Sequence, residues 1–143
     1  MLKTIKGEDI LDSTCDVIVN TVNCQGVMGK DLAKQVKDTY PQGVHNYIAN
    51  AGSMKPGDVI VDEIGDVYLF HLATKDSWRN KSQIQWIRLG LQNLIVKSIE
   101  YKINSIALPP LGCGCGKLNV KDVYNEIVES RIADHFEVHL YIK

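Results

Sequence analysis

Twice in this chain an apolar run passes through a glycine-bearing loop into a segment with helical spacing, and that order constrains the fold more than any other feature. Asp16 to Val22 reads as a strand rich in β-branched residues. The loop Asn23-Cys24-Gln25-Gly26-Val27-Met28-Gly29 follows, and Gly29 to Tyr40 then sets Leu32, Ala33 and Val36 on one helical face, with Pro41 as a stop. The second instance begins at the short buried strand Ser105 to Leu108. It continues through Pro109-Pro110 into Leu111-Gly112-Cys113-Gly114-Cys115-Gly116, and its helix runs from Val120 to about Ile132.

The remaining segments fit around these units. Val44 to Ala51 has the pattern of a helix ending at Gly52. Val59 to Val61 and Val67 to Ala73 are apolar runs joined through Gly65-Asp66, which predicts an antiparallel hairpin. Ser82 to Lys102 is the longest periodic segment, with Ile84, Ile87, Leu91, Leu94, Ile95 and Ile99 at helical intervals and Ser82 as the expected N-cap. Glu137 to Ile142 reads as a closing strand. Helices interleaved with strands, one hairpin among them, predict a three-layer α/β/α fold with a central mixed sheet of about six strands. Ligand sites in such folds collect beyond the carboxyl ends of strands.

A chain of 143 residues without repeats, low-complexity tracts or long linkers is expected to form one domain over residues 1–143, as a monomer. With 45% hydrophobic and 23% charged residues, its composition is that of a globular protein rather than a disordered one. The net charge of -1 excludes an overall basic field of the kind that drives sequence-independent nucleic-acid binding. Lys75, Arg79, Lys81 and Arg88 lie close together, but with Asp76 among them they read as a solvated loop and helix face. Met1 to Asp9 lacks the apolar core of a signal peptide and no apolar run approaches a membrane span, so a cytoplasmic protein is expected. Its cysteines, Cys15, Cys24, Cys113 and Cys115, are too sparse for a disulfide-stapled fold. Cys113 and Cys115 stand one residue apart with no further ligand nearby, so no metal site is expected.

Glycine lets main-chain N–H groups approach an anion closely, and the helix start that follows adds partial positive charge. Two such loops could grip a diphosphate from both sides. Neither fits a Walker lysine loop or a dinucleotide fingerprint.

Taken together, several motifs resemble the macrodomain family. Asp16-Val-Ile-Val-Asn-Thr-Val-Asn23 is similar to the strand that opens the family's binding site, and Asp9-Ile10 lies seven residues ahead of it. Gly26-Val-Met-Gly-Lys30, Thr74-Lys75 with Trp78-Arg79, and Pro110-Leu-Gly-Cys-Gly114 resemble the remaining motifs, in family order, from Asp9 to Asn119. Within the family the likeness is greatest to the branch that holds the DarG antitoxins and the human terminal ADP-ribose protein glycohydrolase.

The resemblance implies ADP-ribose as ligand or product, with no other cofactor. Asp9 would accept the adenine amino group beside the Ile10 backbone, and Asn23 would bond the distal ribose hydroxyls. Gly26, Val27, Met28 and Gly29 would wrap ribose and diphosphate, with Leu111, Gly112, Cys113, Gly114, Cys115 and Gly116 supplying donors from the other side. Thr74 belongs to the loop that carries Lys75, the implied catalytic lysine. To act as a nucleophile Lys75 must lose its proton; as an ammonium it orients substrate or steadies negative charge. In part of this branch an aspartate follows the second loop's Gly-Cys-Gly by one residue, where this chain has Gly116. No acid remains in that loop, so a mechanism resting on its carboxylate is not expected. His71 reads as a packed strand histidine rather than an acid or base. Trp86 falls on the core-facing helix pattern, which leaves Trp78, in a loop, for substrate contact.

The implied activity is that of an ADP-ribosyl glycohydrolase acting on modified DNA or protein. The alternatives are an ADP-ribose-binding module without turnover, which would not need the Thr74-Lys75 loop, and a hydrolase of a small derivative such as ADP-ribose 1″-phosphate or O-acetyl-ADP-ribose.

Overall fold

The computed structural model describes residues 1–142. One six-stranded sheet organises them: β1 Leu2–Lys6, β2 Val17–Asn23, β3 Val59–Ile64, β4 Val67–Lys75, β5 Ser105–Leu108 and β6 Glu137–Ile142, in the order β1-β6-β5-β2-β4-β3. All neighbours are parallel except β3 and β4, the expected hairpin, whose turn places Gly65 at φ 57. β2 sits at the point where the order divides: β4 pairs on one side of it and β5 on the other.

Alternation along the strands separates two cores. Val17, Val19, Phe70, Leu72, Ile106 and Leu108 face the helices α3 (Ile84–Glu100), α4 (Val120–Ser130) and α5 (Ile132–His135). Ile18, Val22, Leu69, Ala73 and Ala107 face the opposite layer, built from α1 (Asp31–Thr39), α2 (His45–Asn50) and the 3₁₀ turn Ile10–Asp12. The predicted three-layer mixed sheet is thus the observed one. Each fully buried aliphatic side chain contributes on the order of 1.5 to 3 kcal/mol, so β2, buried on both faces, anchors both cores.

Four expectations need correction. Ser82 is not the N-cap of α3; Gln83 is, and Ser82 instead donates its N–H to the Gly116 carbonyl at 2.9 Å. The helix expected to reach Ile132 stops at Ser130, because Arg131 turns into the left-handed region at φ 62 before α5 begins. Ile99, counted among the core positions of α3, is 61% exposed, since the buried face of the helix runs through Ile87, Leu91, Leu94 and Ser98 and Ile99 falls one residue past it. Trp86 is only half-buried on the same helix, so it is a flank of the core rather than its centre. Arg88 lies on an exposed helix face, as expected, and pairs with Glu126 of α4 through two hydrogen bonds of 3.1 and 2.6 Å.

His71 is fully buried, as a packed strand histidine should be. The Asn20 carboxamide lies 3.1 Å from its Nδ1, and its Nε2 donates to the Gly43 carbonyl at 2.8 Å and to the Asp62 carboxylate at 3.1 Å. No helix is long and apolar enough to cross a membrane among the described residues.

Candidate ADP-ribose site

The residues singled out in the sequence follow the carboxyl ends of parallel strands. Asp9 and Ile10 come after β1, Asn23 to Gly29 after β2, Lys75 at the end of β4, and Leu111 to Gly116 after β5. A register shift between Val22 and Asn23 skips Thr74, so Asn23 pairs directly with Lys75. Thr74 itself is buried. Past the shift, the Cys24 N–H donates to the Asp76 carbonyl at 3.1 Å, which carries the first loop alongside the lysine.

Asn23 shapes its own loop. Its Oδ1 accepts from the Gln25 and Val27 N–H groups at 3.0 and 3.3 Å, and its Nδ2 donates to the Val27 carbonyl at 2.9 Å. One N–H of that amide remains for a ligand. Gly26 turns at φ 76, a conformation that favours glycine. Met28, at 4% exposure, packs into the core with Ile10, Val22 and Cys24, so it offers the cleft only its main chain. Leu111 is likewise fully buried. Val27 is 40% exposed and Gly29 has open space around it.

The second loop folds on itself. Cys113 N–H donates to the Pro110 carbonyl, Lys117 N–H to Gly114 and Leu118 N–H to Gly112, with Gly112 at φ 72. Gly114, Cys115 and Gly116 are left with N–H groups that meet no acceptor among the described residues, as are Met28 and Gly29 in the first loop. Unpaired donors clustered on two loops, each leading into a helix, are the groups from which an anion cradle can be built. Gly116 is required sterically: a Cβ there would overlap Ser82 Oγ and the Gly112 carbonyl. The position that carries an aspartate elsewhere in the resembling branch therefore has no room for a side chain in this chain. Burial pushes the Cys113 thiol up to about 11, which makes it a packing group rather than a nucleophile.

Lys75 is 9% exposed, and its Nζ donates to the Trp78 carbonyl at 3.0 Å. It forms no ion pair among the described residues, so two of the ammonium's three donors stay free for a ligand. Trp78 is 47% exposed, with the Arg79 guanidinium 4.8 Å from its ring centroid. Gln25 ties the loops together, its Oε1 accepting from the Ser77 hydroxyl and the Trp78 N–H, both at 3.1 Å. Asp9 caps the 3₁₀ turn by accepting the Leu11 N–H at 2.9 Å, while the Ile10 N–H meets no acceptor among the described residues. No three His, Cys, Asp or Glu side chains converge as a metal site among the described residues.

Two residues that sequence reasoning passed over belong to this constellation. Tyr47, fully buried on α2, donates its hydroxyl to the Asn23 carbonyl at 2.8 Å, and burial pushes that phenol up to about 12. Asp31 opens α1 at φ 52, where a non-glycine residue costs about 1 kcal/mol or more. Its carboxylate does not cap its own helix but crosses to the second loop, where Oδ2 accepts the Cys115 S–H at 2.9 Å. That hydrogen bond, then burial, raises the Cys115 thiol, while the charges of Lys75 and Lys30 pull it down. The only sequence signal for Asp31 was its place directly after Gly-Val-Met-Gly-Lys30.

The family model for the Macro domain matches residues 19–127. The DNA ADP-ribosyl glycohydrolase of Thermus aquaticus is 35% identical over 99% of this chain and 41% of its own length, so the chain spans about two fifths of that relative. The solved macrodomain of Mycobacterium tuberculosis DarG superposes with a TM-score of 0.93 at 33% identity, covering 100% of this chain and 98% of that one. The macrodomain of Thermus aquaticus DarG gives a TM-score of 0.92 at 35% identity, with 100% and 99% covered. Fold, motif order and family match agree: the chain belongs to the Macro domain family.

Proposed function

We propose that this protein is an ADP-ribosyl glycohydrolase that removes ADP-ribose from a modified macromolecule, with ADP-ribosylated DNA its first candidate substrate. The observation that carries the reading is the pairing of Lys75 with Asn23 beside two loops of unpaired N–H donors. A diphosphate held by those donors sets the distal ribose against the lysine. The nearly buried Lys75, with donors free beside that ribose, is the group placed to act on the reacting bond. The likeness to the Thermus aquaticus DNA ADP-ribosyl glycohydrolase supports DNA as the carrier. In this reading Asp9 and the Ile10 N–H receive adenine, and the cradle orients the ribose so that Lys75 acts on the reacting centre.

Incubation with ADP-ribosylated DNA and, separately, with ADP-ribosylated protein tests the assignment by release of free ADP-ribose. Release from DNA is expected. Binding of ADP-ribose without release from either carrier would leave a recognition module instead. Borohydride added during turnover separates two roles of Lys75: a Schiff base with the opened ribose is trapped as a covalent adduct, whereas charge stabilisation leaves none.

A further inference from the structure

We infer that Asp31, on the first loop's side of the cleft, is the catalytic carboxylate of this site, taking the place of the acid that the second loop has no room to carry. The assignment rests on the glycohydrolase reading above. Hydrolysis of a glycosidic bond needs a group to take a proton from water as the sugar's bond to its carrier breaks. Lys75, as an ammonium, has no lone pair for that task, and Gly116 leaves none in the second loop.

Asp31 stands where such a group is needed. It follows Gly29 and Lys30, its side chain leaves its own helix, and Oδ2 reaches the second loop at Cys115. Gly114 admits this approach, because a Cβ there would sit 3.1 Å from the same oxygen. Cys115 belongs to the second loop, so the Asp31 carboxylate spans from one loop to the other. A thiol is a weak hydrogen-bond donor, readily exchanged for a water molecule when substrate enters. The backbone of Asp31 is left-handed at φ 52, a conformation glycine would adopt without strain.

Water oxygen attacks C1″ while the bond from C1″ to the carrier heteroatom breaks, its electron pair leaving with the carrier. The proton from water passes to Asp31, the carrier takes a proton from the Lys75 ammonium, and solvent returns the Asp31 proton to the lysine.

Single-turnover release of ADP-ribose from modified DNA by wild type, Asp31→Asn and Asp31→Gly tests this, with ADP-ribose affinity by calorimetry and thermal midpoints measured alongside. Both variants are expected to slow release by about 100-fold or more. Affinity should stay within about threefold, and the glycine variant should melt no lower than wild type, since it relieves the backbone. Full activity in Asp31→Asn overturns the assignment while the glycohydrolase reading stands. A wild type that releases nothing overturns both.

Discussion

Asp9 carries a structural duty that a well-chosen substitution separates from its proposed binding role. Its carboxylate caps the 3₁₀ turn through the Leu11 N–H, and asparagine caps as well as aspartate does. Asp9→Asn is therefore expected to keep the thermal midpoint while weakening ADP-ribose about tenfold, the difference of roughly 1.4 kcal/mol between a charged and a neutral acceptor. Ribose 5-phosphate should be unaffected in the same calorimetric titration; equal loss for both ligands would place Asp9 outside the adenine pocket. Gly116→Ala tests the second loop in a different way. The added carbon meets Ser82 Oγ and the Gly112 carbonyl, so a loss of about 1 to 3 kcal/mol of stability is expected in denaturant unfolding. Asp9, Asn23 and Lys75 were legible in the sequence because each sits in a short motif and the motifs keep a fixed order. Asp31 was not, because its significance lies in a contact with Cys115, 84 positions away, that no local pattern encodes.

Elements pass this precision on to the site. Asp62 on β3 accepts the N–H groups of Asn46 and Tyr47 at 2.9 and 3.2 Å, capping the start of α2, and the Tyr47 hydroxyl in turn holds the Asn23 carbonyl. Burial pushes the Asp62 carboxyl up, but its hydrogen bonds to His71, Asn46 and Tyr47 outweigh that and hold it below the usual range. A carboxyl depressed in the folded state contributes stability above its unfolded value, near pH 4, and that stability is lost as pH falls through the folded value. The wild-type thermal midpoint should thus drop more steeply below about pH 4 than that of Asp62→Asn. Asp62→Ala, which strands the N–H groups of Asn46 and Tyr47 and takes the carboxylate from His71, should cost about 3 to 5 kcal/mol in denaturant unfolding. Tyr47→Phe should weaken ADP-ribose binding although the ring is fully buried, because the Asn23 carbonyl loses its donor and the first loop loosens; unchanged affinity would show that the loop holds its shape without it. Strands and helices with strong periodicity were readable in advance. β1 was not, since only Leu2 and Ile5 are partly buried in it and its remaining residues are exposed on an edge. Nor were the ends of α3 and α4, where the Ser82 bond to the Gly116 carbonyl and the left-handed turn at Arg131 decide the boundary.

At the scale of the whole molecule, the site lies where the strand order divides around β2, which brings the loops after β2, β4 and β5 to one edge of the sheet. That convergence follows from the doubled strand, glycine loop and helix order, and it was the most legible feature of the sequence. The pairing of Asn23 with Lys75 was not legible, because it depends on a register shift within β2. The proposed function requires this end of the sheet to turn ADP-ribosyl bonds over, with Lys75 acting in the transition state. Its most direct test is a paired measurement on wild type and Lys75→Ala: single-turnover release of ADP-ribose from modified DNA, and calorimetric affinity for free ADP-ribose. An interaction confined to the transition state leaves ground-state binding alone, so release should fall by about 100-fold or more while affinity changes by less than about fivefold. Equal losses in rate and affinity, or full activity in Lys75→Ala, would contradict the account.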